Sequence, residues 1–174
     1  HVEMKEYAAA IKHYHAAEMK AVRTEPARLD ARFYFQKGAA LERGKEFAQA
    51  EEAFRKSLKL NPEFAGALNY LGYMWAERGE NLKEARQFIE KALKLSPGNA
   101  AYLDSMAWVV FQLGEAKEAL KWQLKALEAM EADKEKDAVL FEHLGDIYHS
   151  LKNDTKAREF WEKSLAVEAN PKVK

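Results

Sequence analysis

Apolar residues fall at i, i+3, i+4 and i+7 in Leu68, Leu71, Gly72, Trp75 and again in Phe141, Leu144, Gly145, Tyr148. That spacing puts each set on one face of an α-helix. No stretch alternates apolar and polar residues as a half-buried strand would, so the pattern predicts an all-α chain.

The same pattern repeats at long range. A small residue recurs at Gly38, Gly72, Ala107 and Gly145, spaced 34, 35 and 38 residues apart. Each is followed 12 or 13 residues later by an alanine: Ala50, Ala85, Ala119 and Ala157. Four residues further on stand Phe54, Ile89, Gln123 and Trp161, and three beyond those come Ser57, Ala92, Ala126 and Ser164. Two antiparallel helices per unit account for this spacing, with small residues where the helices cross and large ones filling the space between pairs. Pro26, Pro62 and Pro97 each precede a new first helix, where a fixed φ and a missing N–H stop one helix before the next begins. The links at Arg43-Gly44-Lys45, Arg78-Gly79-Glu80-Asn81, Leu113-Gly114-Glu115 and Lys152-Asn153-Asp154 offer glycine or asparagine for the positive φ that ends a helix.

Composition narrows the function classes. The 28 basic and 28 acidic residues balance without long runs of one sign, which leaves no electrostatic footprint for nucleic acid or anionic lipid. There is no cysteine, which removes disulfides, thiolate metal sites and cysteine nucleophiles together and is compatible with reducing and oxidising compartments alike. The longest apolar stretches, such as Ala107 to Phe111, are too short to span a bilayer.

With these residues in place, the chain resembles the tetratricopeptide repeat family, whose signature is nearly complete in Leu68, Leu71, Gly72, Trp75, Ala85, Ile89, Ala92 and Pro97. The resemblance implies a right-handed α-solenoid of antiparallel helix pairs. Its units would be residues 31–64, 65–99, 100–137 and 138–171, preceded at 1–25 by a second helix alone, marked by Tyr7, Ala10, Tyr14 and Ala17. The pattern departs from the family where Lys37 replaces a leucine and Gln123 an aromatic. It departs again where a residue is inserted near Leu82 and where the third unit ends in a longer charged segment, Glu131 to Asp137. A half unit leaves an apolar helix face without its neighbour, which predicts either a longer array or self-association.

In that family the first helices line a concave face that holds peptides or partner helices, which implies a protein-interaction scaffold. At 100° per residue, Leu103, Met106, Ala107 and Val110 form the core face of the third unit, and Asp104, Trp108 and Phe111 point away from it. The same offsets name Arg32, Phe35, Ala39 and Glu42, then Asn69, Tyr73 and Ala76, and lastly Glu142, Asp146 and His149. The expected peptide-binding groove is therefore Arg32, Phe35, Asn69, Tyr73, Asp104, Trp108, Phe111, Glu142, Asp146 and His149. For the aromatics the alternative is packing against the neighbouring first helix. The family's clamp for a C-terminal carboxylate is not matched, because Asp104, Glu142 and Asp146 would repel that group. A neutral to basic segment is the expected partner.

A looser resemblance, in Asn69-Tyr70-Leu71-Gly72-Tyr73 with Leu103-Asp104-Ser105 and Trp108-Val109, is to repeats of bacterial envelope proteins, some of which tether other proteins. Glu142, Asp146 and His149 share a helix face and admit a metal reading, but no ligand from a second element is evident. The sequence carries no glycine-rich phosphate loop and no nucleophile elbow. The expectation is no catalytic activity, no cofactor and no metal, with self-association as the alternative to partner binding.

Overall fold

A computed structural model describes residues 2–169 of the chain, the side chains from residue 6 onward. Residue 1, and residues 170 and 171 of the expected fourth unit, lie outside the described residues. Every regular element among the described residues is a helix: α1 (Val2–Thr24), α2 (Ala31–Arg43), α3 (Phe47–Leu60), α4 (Ala65–Arg78), α5 (Leu82–Leu95), α6 (Ala100–Gln112), α7 (Ala116–Ala132), α8 (Ala138–Ser150) and α9 (Asp154–Ala169), with a single 3-10 turn at Pro26–Arg28. The dominant packing is pairwise, α2 with α3, α4 with α5, α6 with α7 and α8 with α9. Alongside it, α4 lies against α2 and α6, and α6 against α8, so the first helices form a continuous layer. The chain is an α-solenoid.

Packing within each pair explains the small residue of the repeat. A methyl group added at Gly38 would stand 2.7 Å from the Phe54 ring, one at Gly72 would stand 2.8 Å from Ile89, and one at Gly145 would overlap Trp161. These are the residues 16 or 17 positions later in the periodic pattern, so glycine and large side chain are two halves of one crossing. The core runs the length of the solenoid through Leu41, Phe54, Leu71, Trp75, Ile89, Met106, Leu144 and Ile147, each fully buried.

First helices begin with side-chain caps where the sequence supplies them. Asp30 accepts from the Phe33 N–H at 2.7 Å, Asn99 from Tyr102 at 3.1 Å and Asp137 from Val139 at 2.8 Å, each satisfying an N–H that the helix itself leaves unpaired. Helix ends differ from the sequence expectation in detail. Positive φ falls on Gly79 and Gly114 as expected, but on Lys45 and Lys152 rather than on Gly44 and Asn153. The reason is the hydrogen bond that closes each end. Glu46, Glu80, Glu115, Glu135 and Asn153 donate to the carbonyls of Leu41, Trp75, Val110, Met130 and Tyr148. This six-to-one closure puts the residue just before the donor in the left-handed region whatever its side chain.

The departure at Lys37 also has its reason. Lys37 is buried and pairs at 2.5 Å with Glu18 of α1, fastening that helix to α2 where the family has a leucine. Ile11 completes the contact over Gly44, and Met19 and Val22 on another part of α1 stay exposed.

Candidate functional site

The first-helix layer carries a buried polar cluster that joins three helices. Asp104 of α6 accepts from His143 Nδ1 of α8 at 3.0 Å and from Gln123 Nε2 of α7; the same Gln123 amide donates to the Leu140 carbonyl at 3.1 Å. The Trp108 indole stacks on the His143 ring with centroids 4.0 Å apart and planes at 12°. Tyr73 lies 6.2 Å from that ring, and Glu77 of α4 sits 3.9 Å from its Nε2. Burial alone would lower the His143 pKa; the hydrogen bond that its ring donates to Asp104 and the charges of Asp104, Glu77 and Asp146 outweigh it and raise the pKa above the ordinary histidine value. A charged imidazole on the indole face is a favourable cation–π pair. Burial pushes the Tyr73 hydroxyl well above the ordinary tyrosine range, and Glu77, Asp104 and Asp137 add to the effect, so this group stays a neutral phenol.

Beside the cluster opens a cavity of about 520 Å³ between α2, α4, α6, α8 and the link after α7. Tyr70, Tyr73, Met74, Met130, Val139 and Leu140 give it apolar walls, and Asn69, Asp104, Glu42, Glu135 and Asp137 supply oxygens, with Arg43 the basic side chain in its lining. The longer third link is what forms one wall. Its Glu135 and Asp137 reach the cavity, a role that the irregular length of that unit did not disclose. Asn69 is 93% buried, since its relative exposure is 7%, and its side-chain carbonyl has no hydrogen-bond partner. Burial and the neighbouring Glu77 raise the Glu42 pKa, with Arg43 opposing them.

Of the ten expected groove residues, Asn69, Tyr73 and Asp104 line this cavity, and Trp108 stands behind it on His143. Phe111 stacks on Trp108 at 5.3 Å. Phe35 belongs to an aromatic cluster with Phe54, Phe64 and Tyr70, its ring 5.0 Å from Phe64 and 5.3 Å from Tyr70. Arg32 is exposed at a different cavity, between α1 and α2. In α8 Glu142 is exposed, Asp146 accepts from Trp161 Nε1 at 3.0 Å, and His149 pairs with Asp154 at 2.9 Å and lies against Trp161. These three do not converge, and among the described residues no group of three or more histidine or acidic side chains is placed to hold a metal ion.

Sequence reasoning missed the organising roles of His143, Gln123 and Glu77. A signal existed for Gln123: a polar residue in the place of a buried aromatic needs partners for its amide. The partners are Asp104 and Leu140, on other elements.

The stacked helix pairs with their continuous layer of first helices define a repeat scaffold of the helical-solenoid class. Tetratricopeptide repeat family models match residues 35–100 and 70–172, and the chain belongs to the tetratricopeptide repeat family. No curated protein matches it significantly. Among solved structures it is similar to a tetratricopeptide repeat protein from Parabacteroides merdae ATCC 43184, with a TM-score of 0.74 at 18% identity. That match covers 93% of this chain and 59% of the other. MamA from Desulfovibrio magneticus RS-1, from residue 41 to its end, superposes with a TM-score of 0.66 at 18% identity, over 92% of this chain and 96% of that one. At such identities the likeness shows the fold. The family is a non-catalytic repeat scaffold for protein–protein interaction, and no helix among the described residues is long and apolar enough to cross a membrane.

Proposed function

We propose that the chain holds an extended or helical segment of a partner protein against its concave first-helix face, with the cavity between α4, α6 and α8 as the anchoring point. The observation that supports this reading is the cavity itself. It lies on the layer shared by four consecutive units, has aromatic and aliphatic walls and an acidic rim, and has a volume of about 520 Å³, within the usual range of ligand pockets. Its negative rim favours a neutral to basic segment and disfavours a terminal carboxylate. The scaffold acts by binding and carries out no chemistry of its own. The working repeats are those at 31–64, 65–99, 100–137 and 138–171.

Peptides selected from a random display library on the intact chain test this. Ala101 is exposed at the cavity wall, so Ala101→Trp fills the cavity and leaves the core untouched. The expected result is a selected peptide whose affinity falls about tenfold or more in the variant, as loss of a buried anchor does, with unchanged circular dichroism. Equal affinity for the filled variant contradicts the assignment. Self-association is a second reading, favoured by Met19 and Val22, which are 72% and 61% exposed on α1. A mass in solution that stays monomeric across concentrations removes it.

A further inference from the structure

Resting on the groove reading, we infer that the cavity between α4, α6 and α8 is a specificity pocket for an arginine side chain of the bound segment. Two independent observations lead there. Asn69 lines the pocket and is buried to more than nine-tenths, and its side-chain carbonyl has no hydrogen-bond partner among the described residues. An acceptor in that state carries the full cost of its lost hydration until a donor reaches it. Around it the charges are mainly negative: among the described residues Glu42 makes no ion pair within 4 Å, and Asp137 caps α8 through its Oδ1. Asp104 is committed to His143 and Gln123 and adds charge more than a contact.

The ligand that fits is therefore a donor and a cation together. Acceptors stand on three elements, on Asn69 in α4, Glu42 in α2 and Asp137 at the start of α8. A guanidinium presents five N–H donors in a planar fork and can serve several such oxygens at once, whereas an ammonium is a point charge. Tyr70, Tyr73 and Met130 give the aliphatic stem apolar walls and the guanidinium plane a ring to stack on. Arg43 at the rim discriminates against a second basic residue beside the first.

The test uses the intact chain, isotope-labelled for NMR, titrated with N-acetyl-arginine-N′-methylamide and with its citrulline counterpart, which has the same shape without the charge. Saturable shifts of Asn69, Tyr73, Ala101 and Val139 with arginine, and binding about tenfold weaker or worse with citrulline, are expected from the loss of charged hydrogen bonds. The variant Asn69→Leu keeps the volume and removes the orphan acceptor. It is expected to bind arginine about fivefold or more weakly while melting no lower than the parent, because an unsatisfied buried polar group leaves with it. Equal binding of arginine and citrulline, shifts mapping outside the cavity, or unchanged arginine affinity in Asn69→Leu overturns the inference. Display-selected peptides separate the two claims: one whose binding Ala101→Trp abolishes but which tolerates citrulline for every arginine leaves the groove standing and removes the arginine pocket alone.

Discussion

Lys152 closes α8 with φ at 64°, a conformation that a side chain makes costly and that glycine adopts freely. Two equivalent positions in other units already hold glycine, Gly79 and Gly114. The variant Lys152→Gly is therefore expected to gain about 0.5–1 kcal/mol of stability, read as a higher midpoint in urea with unchanged slope. The link sequences showed that helices end here; which residue takes the left-handed turn was not legible, because Gly44 and Asn153 offer tempting but adjacent alternatives. Small-residue positions were legible for a physical reason. Gly38, Gly72 and Gly145 must admit Phe54, Ile89 and Trp161, a constraint strict enough to print a period on the chain.

Among the elements, the junction of α6, α7 and α8 depends on charge as well as packing. His143 has its pKa raised in the folded state, by Asp104 from α6 with Glu77 from α4 and Asp146 from α8 itself, against the effect of burial. Its contribution to stability is thus complete below the unfolded histidine value of about 6.5 and is lost as pH rises through the higher folded value. Thermal melts across that window should show the parent losing stability relative to His143→Gln, which cannot titrate, and an imidazole titration followed by NMR should place the His143 midpoint above 6.5. A midpoint below it contradicts the cluster as described. The helix wheel found one side of this junction correctly, with Leu103, Met106, Ala107 and Val110 all buried. It assigned Asp104 to an open groove, whereas Asp104 is buried. Periodicity reports the face of a single helix, and Asp104 is covered by side chains of α7 and α8, contacts that only the stacking of units creates.

Taken as a whole, the solenoid is stabilised by neighbour interfaces, so its ends and middle should differ. The N-terminal helix α1 meets the rest chiefly through α2, with Ile11, Ala21 and the Lys37–Glu18 pair as its anchors. By contrast α4 to α7 are packed on both sides. Hydrogen exchange is expected to open α1 first and α4 to α7 last; uniform protection would show instead a single all-or-none unit. Element order and repeat period were readable because both are local or strictly periodic. The cavity was readable in Glu42, Asn69, Tyr73 and Asp104, whereas other walls come from the irregular link at Glu135 and Asp137 and from the depth of the crossing at Met130 and Leu140. A photoreactive benzoylphenylalanine placed at Ala101, on the cavity wall, or at Lys121, exposed on α7, and irradiated with a display-selected peptide tests whether a partner segment seats on the first-helix face at this cavity. Crosslinking is expected from position 101 and not from 121; crosslinking from 121 with none from 101 would contradict a partner seated at this cavity.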